Sequence, residues 1–336
     1  MTGGAVALSA IVISRNDAAT IARGVGSVVE QACAEPFEVI VVTSGDDGTA
    51  DIVRERFPAV TLIALPRAAL PGEARNAGLS VARGEFISFP GSHVELPPGS
   101  LAARLRAHRR GFDMVTGATL NGTLTRAGWA AYFLDHSRNL PHAGAAVLRR
   151  APAHCSYSHA ALRRVGGFPE GVRAGEDTAV NAELYRLGYR ALRDPQVVLV
   201  HHTPCRTPAT LLRHHFARGQ GEGATALREA AARGVMRLTR LARFEPNARI
   251  ARIGGRALGA ASPYRGVFGR VFPLVWLGAW AAWAGIGAAG ARRPSRAVPP
   301  AVSGRWSAGA GSFPTRWSSA PAAPPARTPP DATEAT

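Results

Sequence analysis

The chain contains no lysine: all 40 of its basic residues are Arg, set against 23 Asp and Glu. That uniformity, with the heavy Ala and Gly content, is what a GC-rich gene encodes, and it carries no mechanism by itself. Cysteine is nearly as scarce. Cys33, Cys155 and Cys205 make up the whole complement of 3, too few and too scattered for a disulfide framework or a zinc motif. The first residues lack a charged segment ahead of the apolar run 5–13, which passes into Ser14-Arg15-Asn16 without a cleavage site. It is expected to be a first strand and not a signal peptide, which puts the working domain in the cytoplasm. Aromatic residues interleaved with basic ones in a nucleic-acid-binding pattern are also missing, so nucleic acid is not an expected partner.

Acidic residues run out along the chain. Residues 1–200 hold 21 Arg and 18 acidic residues, a net of +3, whereas residues 201–336 hold 19 Arg and 5 acidic residues, a net of +14. A near-neutral section, long enough for an ample core, is thus followed by a strongly basic one whose charge suits nucleic acid or an anionic membrane surface.

What is present begins with an alternation. Residues 8–13 are apolar and β-branched, Ser14-Arg15-Asn16-Asp17 breaks the run, and Ile21, Val25, Val28 and Val29 follow at helical spacing. The unit recurs: strand 38–42, polar loop 43–48 and helix 49–57, then strand 60–65 and helix 72–82, then strand 85–89. Such repetition predicts an α/β fold with a doubly wound, mostly parallel sheet. Pro90-Gly91 stops the strand at 89, and the carboxyl ends of strands in an open α/β sheet are where ligands bind. That puts Ser92, His93 and Glu95 on the working edge. A helix through Leu101, Leu105 and His108 and a strand over 112–117 follow. From 121 to 159 the periodicity weakens, and polar, aromatic and His residues mix in what is expected to be a less regular, substrate-facing segment. The pair His154-Cys155 has no usable spacing. Regular patterns return with a helix over 176–187 and a strand over 196–201.

Beyond about residue 218 the character changes. Leu227, Ala231, Val235 and Leu238 form one helical stripe and Arg233, Arg237 and Arg240 another, continued by Arg249, Arg252 and Arg256, as in an interfacial basic helix. Residues 271–291 carry no charge, contain Trp276, Trp280 and Trp283, and are flanked by Arg270 and by Arg292-Arg293. About 20 apolar residues span a bilayer, but this run is rich in Ala and Gly. Three readings stay open: a spanning helix, a monotopic or re-entrant hairpin, and a buried helix. From Pro294 on, the Pro/Ala/Ser/Thr composition cannot support a core and is expected to be disordered. The expected divisions are an α/β domain over 1–220, basic amphipathic helices over 221–262, a membrane-associated or transmembrane segment over 263–293, and a disordered tail over 294–336.

Six short stretches in a fixed order carry a family likeness. Residues 9–17 (Ser-Ala-Ile-Val-Ile-Ser-Arg-Asn-Asp), 38–42 (Glu-Val-Ile-Val-Val), 72–78 (Gly-Glu-Ala-Arg-Asn-Ala-Gly) and 82–89 (Ala-Arg-Gly-Glu-Phe-Ile-Ser-Phe) come first. Gly166-Gly167-Phe168-Pro169 then precedes Gly175-Glu176-Asp177, and Gly188-Tyr189 precedes the strand ending at His201. No single piece is specific, but in this order the chain resembles the inverting family 2 glycosyltransferases of the GT-A fold over roughly residues 8–220. The resemblance implies a nucleotide-sugar donor, a lipid-linked or saccharide acceptor in cell-envelope or polysaccharide synthesis, and an enzyme at the inner (plasma) membrane whose catalytic domain faces the cytoplasm. A diphosphate needs polar loops, N–H groups and cations at strand ends. Ser14, Asn16, Ser44 and Asp47 occupy two such loops, Arg75 and Asn76 a helix on the same edge, and Ser92 and His93 the turn after strand 85–89. The resemblance also implies that Asp177, in the pair Glu176-Asp177, is the base that deprotonates the acceptor hydroxyl. The bland alternative is a helix N-cap.

The chain departs from the family in two places. Where the family carries an Asp-x-Asp pair holding Mg²⁺ or Mn²⁺, this chain reads Gly91-Ser92-His93. Hard cations want oxygen ligands, so Mg²⁺ dependence is expected to be weak or absent. A Mn²⁺ or Zn²⁺ site using His93 with His201, metal-free catalysis on Arg or His donors, and a catalytically silent donor-binding or scaffold domain all stay open. The second departure is Thr43-Ser44-Gly45, where an acidic residue commonly reads the nucleobase. The retained Glu176-Asp177 pair favours the enzyme over the silent domain.

Overall fold

The structure, a computed structural model, describes residues 5–149, 154–172, 174–232, 245–259 and 262–291. Its strands are β1 (Leu8–Arg15), β2 (Phe37–Ser44), β3 (Thr61–Ala64), β4 (Phe86–Ser88), β5 (Val94–Glu95), β6 (Met114–Asn121), β7 (Ala146–Leu148), β8 (Ser156–Ser158) and β9 (Ala191–His201). They form a single sheet in the order β3-β2-β1-β4-β8-β6-β9-β5, with β7 also paired to β9. β1, β2, β3, β4, β6 and β9 run one way, and β5, β7 and β8 oppose them. The sheet is therefore mixed but mostly parallel, as the alternating pattern predicts.

Period-2 alternation sorts β1 between two cores. Leu8, Ala10 and Val12 face one side with Ile21, Val25, Val53 and Leu101, while Ile11 faces the other with Leu79, Leu162 and Leu184. The first set belongs to α1 (Ile21–Val29), α2 (Thr49–Arg56) and α4 (Ser100–Arg109), the second to α3 (Pro71–Val81), α6 (His159–Val165) and α7 (Glu176–Arg186). Helices thus cover both faces, which leaves the strand ends as the open edge of the domain.

The stretch that lacked periodicity holds β7, β8 and one α-helix. α5 (Arg126–His136) buries Ala127, Ala130, Ala131, Tyr132, Phe133 and Leu134. With apolar residues nearly all round, it offers no polar face from which a helical period is read. β8 slots between β4 and β6, antiparallel to both, and its three residues are too few to show alternation. β9 starts earlier than expected because Asp194-Pro195 interrupts it. Its pairing with β6 jumps from Gly117↔Asp194 to Ala118↔Val198, a bulge that takes up the proline, which has no N–H for the ladder. A Cβ on Gly117 would lie 1.8 Å from the Val197 carbonyl oxygen, so the bulge depends on glycine there.

The carboxyl-terminal helices form a further layer on α5. α8 (Pro208–Ala232) runs unbroken through the boundary expected at 220, and α9 (Pro246–Ala257) and α10 (Arg265–Ala291) follow. Tyr132, Phe133 and Leu134 of α5 share a core with Leu211, Ile253, Phe268, Val271 and Val275. α8 and α10 approach closely through glycines: a Cβ on Gly219 would lie 1.9 Å from the Ala282 carbonyl oxygen, and one on Gly285 would lie 2.1 Å from that of Phe216. Because both obstacles are backbone, Gly219→Ala is expected to destabilise the protein by about 1–3 kcal/mol. A thermal melt in detergent checks this, and an unchanged midpoint would mean that the helix pair is looser than described.

α10 is half buried. Val271, Val275, Ala279 and Ala282 face α5 and α8, while Phe272, Trp276, Leu277 and Trp283 are 41–45% exposed. It is the one described helix long and apolar enough to cross a membrane. The basic stripe on α9 is partly engaged with the protein itself, since Arg249 donates to the Leu134 carbonyl at 3.2 Å and Arg256 to Ser137 Oγ at 3.3 Å. The stripe over 233–240 and the tail from 294 lie outside the described residues.

Candidate active site

At the carboxyl ends of β1 and β2 two polar loops lock together. Asn16 sits in the left-handed region at φ 54°, a conformation its short polar side chain tolerates, and its Oδ1 accepts the Asp46 N–H at 3.1 Å. Gly45 lies directly beneath: a Cβ there would fall 1.8 Å from Asn16 Oδ1. Asp47 accepts the N–H groups of Ala18 at 2.9 Å and Thr49 at 3.1 Å. Hydrogen bonds from the Thr49 hydroxyl and then the Ala18 N–H hold its carboxyl below the usual carboxylate range. Ser44 Oγ donates to the Ser14 carbonyl at 3.4 Å. The side chains of Asn16, Ser44 and Asp47 are therefore spent on shaping the edge.

Asp17 joins this corner to the turn after β4. Its Oδ2 accepts Ser92 Oγ at 2.6 Å, Ser14 Oγ at 3.1 Å and the Arg15 N–H at 3.1 Å. The sequence marked Asp17 as part of a loop at a strand end. Its role as the hub was not legible, because Ser92 lies 75 positions away.

On the other side of the edge Arg75 and Glu176 form an ion pair at 2.5 Å, with side chains only 17% and 9% exposed. The Arg75 guanidinium lies 5.0 Å from the Phe168 ring centroid and 5.5 Å from that of Phe89. Asn76 staples the segment 168–170 ahead of α7, donating to the Phe168 carbonyl at 2.8 Å and to Glu170 at 3.0 Å while accepting the Phe168 N–H at 2.9 Å. Its side-chain amide is thus fully occupied within the protein. Glu176 is committed to Arg75, and Asp177 stands beside it, half-buried in the first turn of α7. Gly175 occupies the N-cap position at φ 91°, a left-handed conformation suited to glycine. Asp177 is therefore not the cap; its Oδ1 accepts the Thr178 N–H at 2.7 Å.

The turn 91–93 does not rebuild a two-carboxylate cation site. Gly91 and Ser92 bring no carboxylate, and Asp17, which Ser92 meets, already accepts three hydrogen bonds on one oxygen. An octahedral Mg²⁺ demands oxygens this turn lacks. His93 instead meets His201 edge to face, with centroids 4.8 Å apart. His201 in turn groups with His136 and His154, and one ligand nitrogen from each of these three lies within 4.8 Å of the others. The expected His93–His201 pair is thus embedded in a larger imidazole cluster that spacing alone did not reveal. Burial holds the His93 imidazole below its usual range, lowers that of His136 to about 4, and pushes those of His154 and His201 well down.

A mostly parallel sheet with helices on both faces, two interlocked loops at its carboxyl edge and a carboxylate pair opening α7 together define the GT-A class of fold. The family model described as Glycosyl transferase family 2 matches residues 9–170 of the chain. The succinoglycan biosynthesis protein ExoO of Rhizobium meliloti is 30% identical over 207 residues, which cover 57% of this chain and 59% of that protein. The chain therefore aligns with less than two thirds of its curated relative. The mannosyltransferase PcManGT from Pyrobaculum calidifontis, solved in complex with GDP-Man and Mn²⁺, superposes with a TM-score of 0.53 at 22% identity, covering 84% of this chain and 86% of that one. S. aureus TarS 1–349 in complex with UDP gives a TM-score of 0.47 at 16% identity, covering 85% and 92%.

Proposed function

We propose that the chain is an inverting, membrane-associated glycosyltransferase that moves a sugar from a nucleoside diphosphate donor to a saccharide or lipid-linked acceptor in cell-envelope or exopolysaccharide synthesis. The observation that carries this reading is Asp177, half-buried at α7 beside an Arg75–Glu176 pair, on a family 2 domain whose donor-side loops are rigidly knit. Asp177 takes the proton from the acceptor hydroxyl as that oxygen attacks the anomeric carbon. The bond from this carbon to the diphosphate oxygen breaks on the opposite side, and the diphosphate leaves with the electron pair. Arg75, fixed by Glu176 and by two aromatic rings, supplies positive charge at this edge. The names of the relatives, one for succinoglycan biosynthesis and one for a mannosyltransferase with GDP-Man, support an exopolysaccharide setting and a nucleoside diphosphate donor.

A second reading keeps a specific observation in its favour. Without a carboxylate pair at 91–93, the domain can hold a donor and turn nothing over, as a scaffold subunit. Release of nucleoside diphosphate across a panel of nucleotide sugars, with and without EDTA, separates the two. Turnover supports the enzyme, whereas donor binding without turnover supports the scaffold.

The exposed face of α10 supports association with a membrane. Trp276 and Trp283 are 42% and 45% exposed, and Trp280 bridges them at centroid distances of 5.7 and 5.6 Å. Such amphipathic rings favour the headgroup region. The proposed setting is the inner membrane, with the domain on its cytoplasmic side. Full-length protein is expected in the membrane fraction, and Trp276→Ser with Trp283→Ser is expected to move most of it to the supernatant if α10 lies in the interface. Retention of that variant after a high-salt wash would favour a spanning helix, and a wild-type chain wholly soluble at low salt would overturn both.

A further inference from the structure

The domain carries a cluster of imidazoles, two of them from the segment with the least regular sequence and one from the end of β9. His136 ends α5, His154 lies just before β8, and His201 ends β9. The ring centroids of His136 and His201 are 4.3 Å apart, and each lies 5.7 Å from that of His154. His136 Nε2 is buried without a hydrogen-bond partner, a cost of about 1–3 kcal/mol that proteins seldom leave uncompensated. His154 is held at φ 62°, a strained left-handed conformation for a residue with a side chain. Packing of apolar groups does not explain this, since the contact of three imidazoles leaves the buried His136 Nε2 unmet.

We propose that His136, His154 and His201 form a tridentate site for a borderline divalent transition metal, with Zn²⁺ the best fit. Three neutral imidazoles suit Zn²⁺, Co²⁺ or Ni²⁺ far better than Mg²⁺, which wants oxygens. Tetrahedral Zn²⁺ with bonds of about 2.0 Å holds its ligand nitrogens roughly 3.3 Å apart. The observed separations, up to 4.8 Å, close to that value with side-chain adjustments on the order of an ångström. Three protein ligands leave a fourth position open, and no carboxylate belongs to the triad, so a bound dication keeps its full charge for an anionic ligand.

The position of the triad gives that charge a purpose. His93, the residue standing where the family carries an acidic metal ligand, packs edge-on against His201. His201 also pairs with Val94, directly after the turn whose Ser92 hydroxyl donates to Asp17 at the donor corner. The triad therefore borders the donor corner of the working edge, where a donor diphosphate needs a cation. This role rests on the transferase reading. Metal binding itself does not, so it is measured without any sugar nucleotide.

The test uses untagged full-length protein in detergent, stripped with chelator and then dialysed against Zn²⁺, Co²⁺, Mn²⁺ or Mg²⁺ alone. About one equivalent of Zn²⁺ or Co²⁺ is expected to remain, with the visible ligand-field bands of four-coordinate Co²⁺, and Mg²⁺ in excess is not expected to displace it. His136→Ala and His154→Ala are each expected to weaken Co²⁺ binding by more than ~100-fold, with thermal melts reporting whether each variant folds. His93→Ala, outside the triad, is expected to keep the metal. Sub-stoichiometric Zn²⁺ and Co²⁺ in the parent, or full retention in a folded His136→Ala/His154→Ala double variant, would overturn the site. If the triple substitution His136→Gln/His154→Gln/His201→Gln alone folds, persistence of the Co²⁺ bands in it would do the same. Donor turnover by protein lacking the metal would leave the transferase reading and the site standing and overturn only the metal's role at the diphosphate.

Discussion

Asp177→Asn is expected to reduce sugar transfer by about 10²–10⁴-fold, the usual worth of a positioned general base, with donor affinity and thermal stability close to those of the parent. The amide keeps the shape of the carboxylate and can still accept the Thr178 N–H, so only the proton acceptor is lost. Gly175, not Asp177, occupies the N-cap position, and the substitution therefore removes no cap. The loss belongs in kcat, because the interaction removed is one made as the acceptor oxygen loses its proton. A folded Asp177→Asn protein that transfers sugar at the parent rate would sink the assignment.

Glu176→Ala is expected to have the largest effect on stability. Arg75 and Glu176 pair at 2.5 Å with little exposure, and Arg75 Nε is buried without a partner of its own. Removing the carboxylate strands a guanidinium among Phe89, Phe168 and the α7 turn, and breaking a buried pair from one side costs about 3–5 kcal/mol. In a chain of this size that corresponds to a fall in Tm of roughly 10 °C. Replacing both partners with apolar residues of similar volume is expected to recover much of the stability without restoring activity. A thermal melt of the single and double variants decides the matter, and a single variant as stable as the parent would mean that the pair is solvated.

These two residues also show what was legible in the sequence. The pair Glu176-Asp177 stood out because the family likeness points to a Glu-Asp pair opening a helix, and the strand–loop–helix repeats over residues 8–89 were clear because each alternates between two cores at period 2 or 3.6. The Arg75–Glu176 contact was not legible, since it joins positions 101 apart and fold topology alone brings them together. Helix α5 was hidden by the opposite problem. It is apolar nearly all round, so burial erased the period that marks a helix on a surface. The histidine triad draws on residues 136, 154 and 201, one at the end of that unseen helix and one before a three-residue strand. No spacing rule links such positions. The His93–His201 reading came from only one side of the cluster.

The α10 run shows a different limit. Composition left three readings open, and packing against α5 and α8 explains why: one face, through Val271, Val275 and Ala279, behaves as a core helix, while Phe272, Trp276 and Trp283 remain exposed. The helix is both buried and apolar outside, a combination that hydropathy averaged along the chain does not separate.

The proposed reaction is sugar transfer from a nucleoside diphosphate donor with Asp177 as the base. The most direct measurement is release of nucleoside diphosphate by full-length parent protein and by Asp177→Asn, over a panel of GDP- and UDP-sugars with lipid-linked and saccharide acceptors. Acceptor-dependent release with at least one donor is expected from the parent, reduced by about 10²–10⁴-fold in the variant, with equal donor binding by both. Acceptor-dependent release at the same rate by both proteins, or donor binding by the parent with no release for any donor and acceptor, would contradict it.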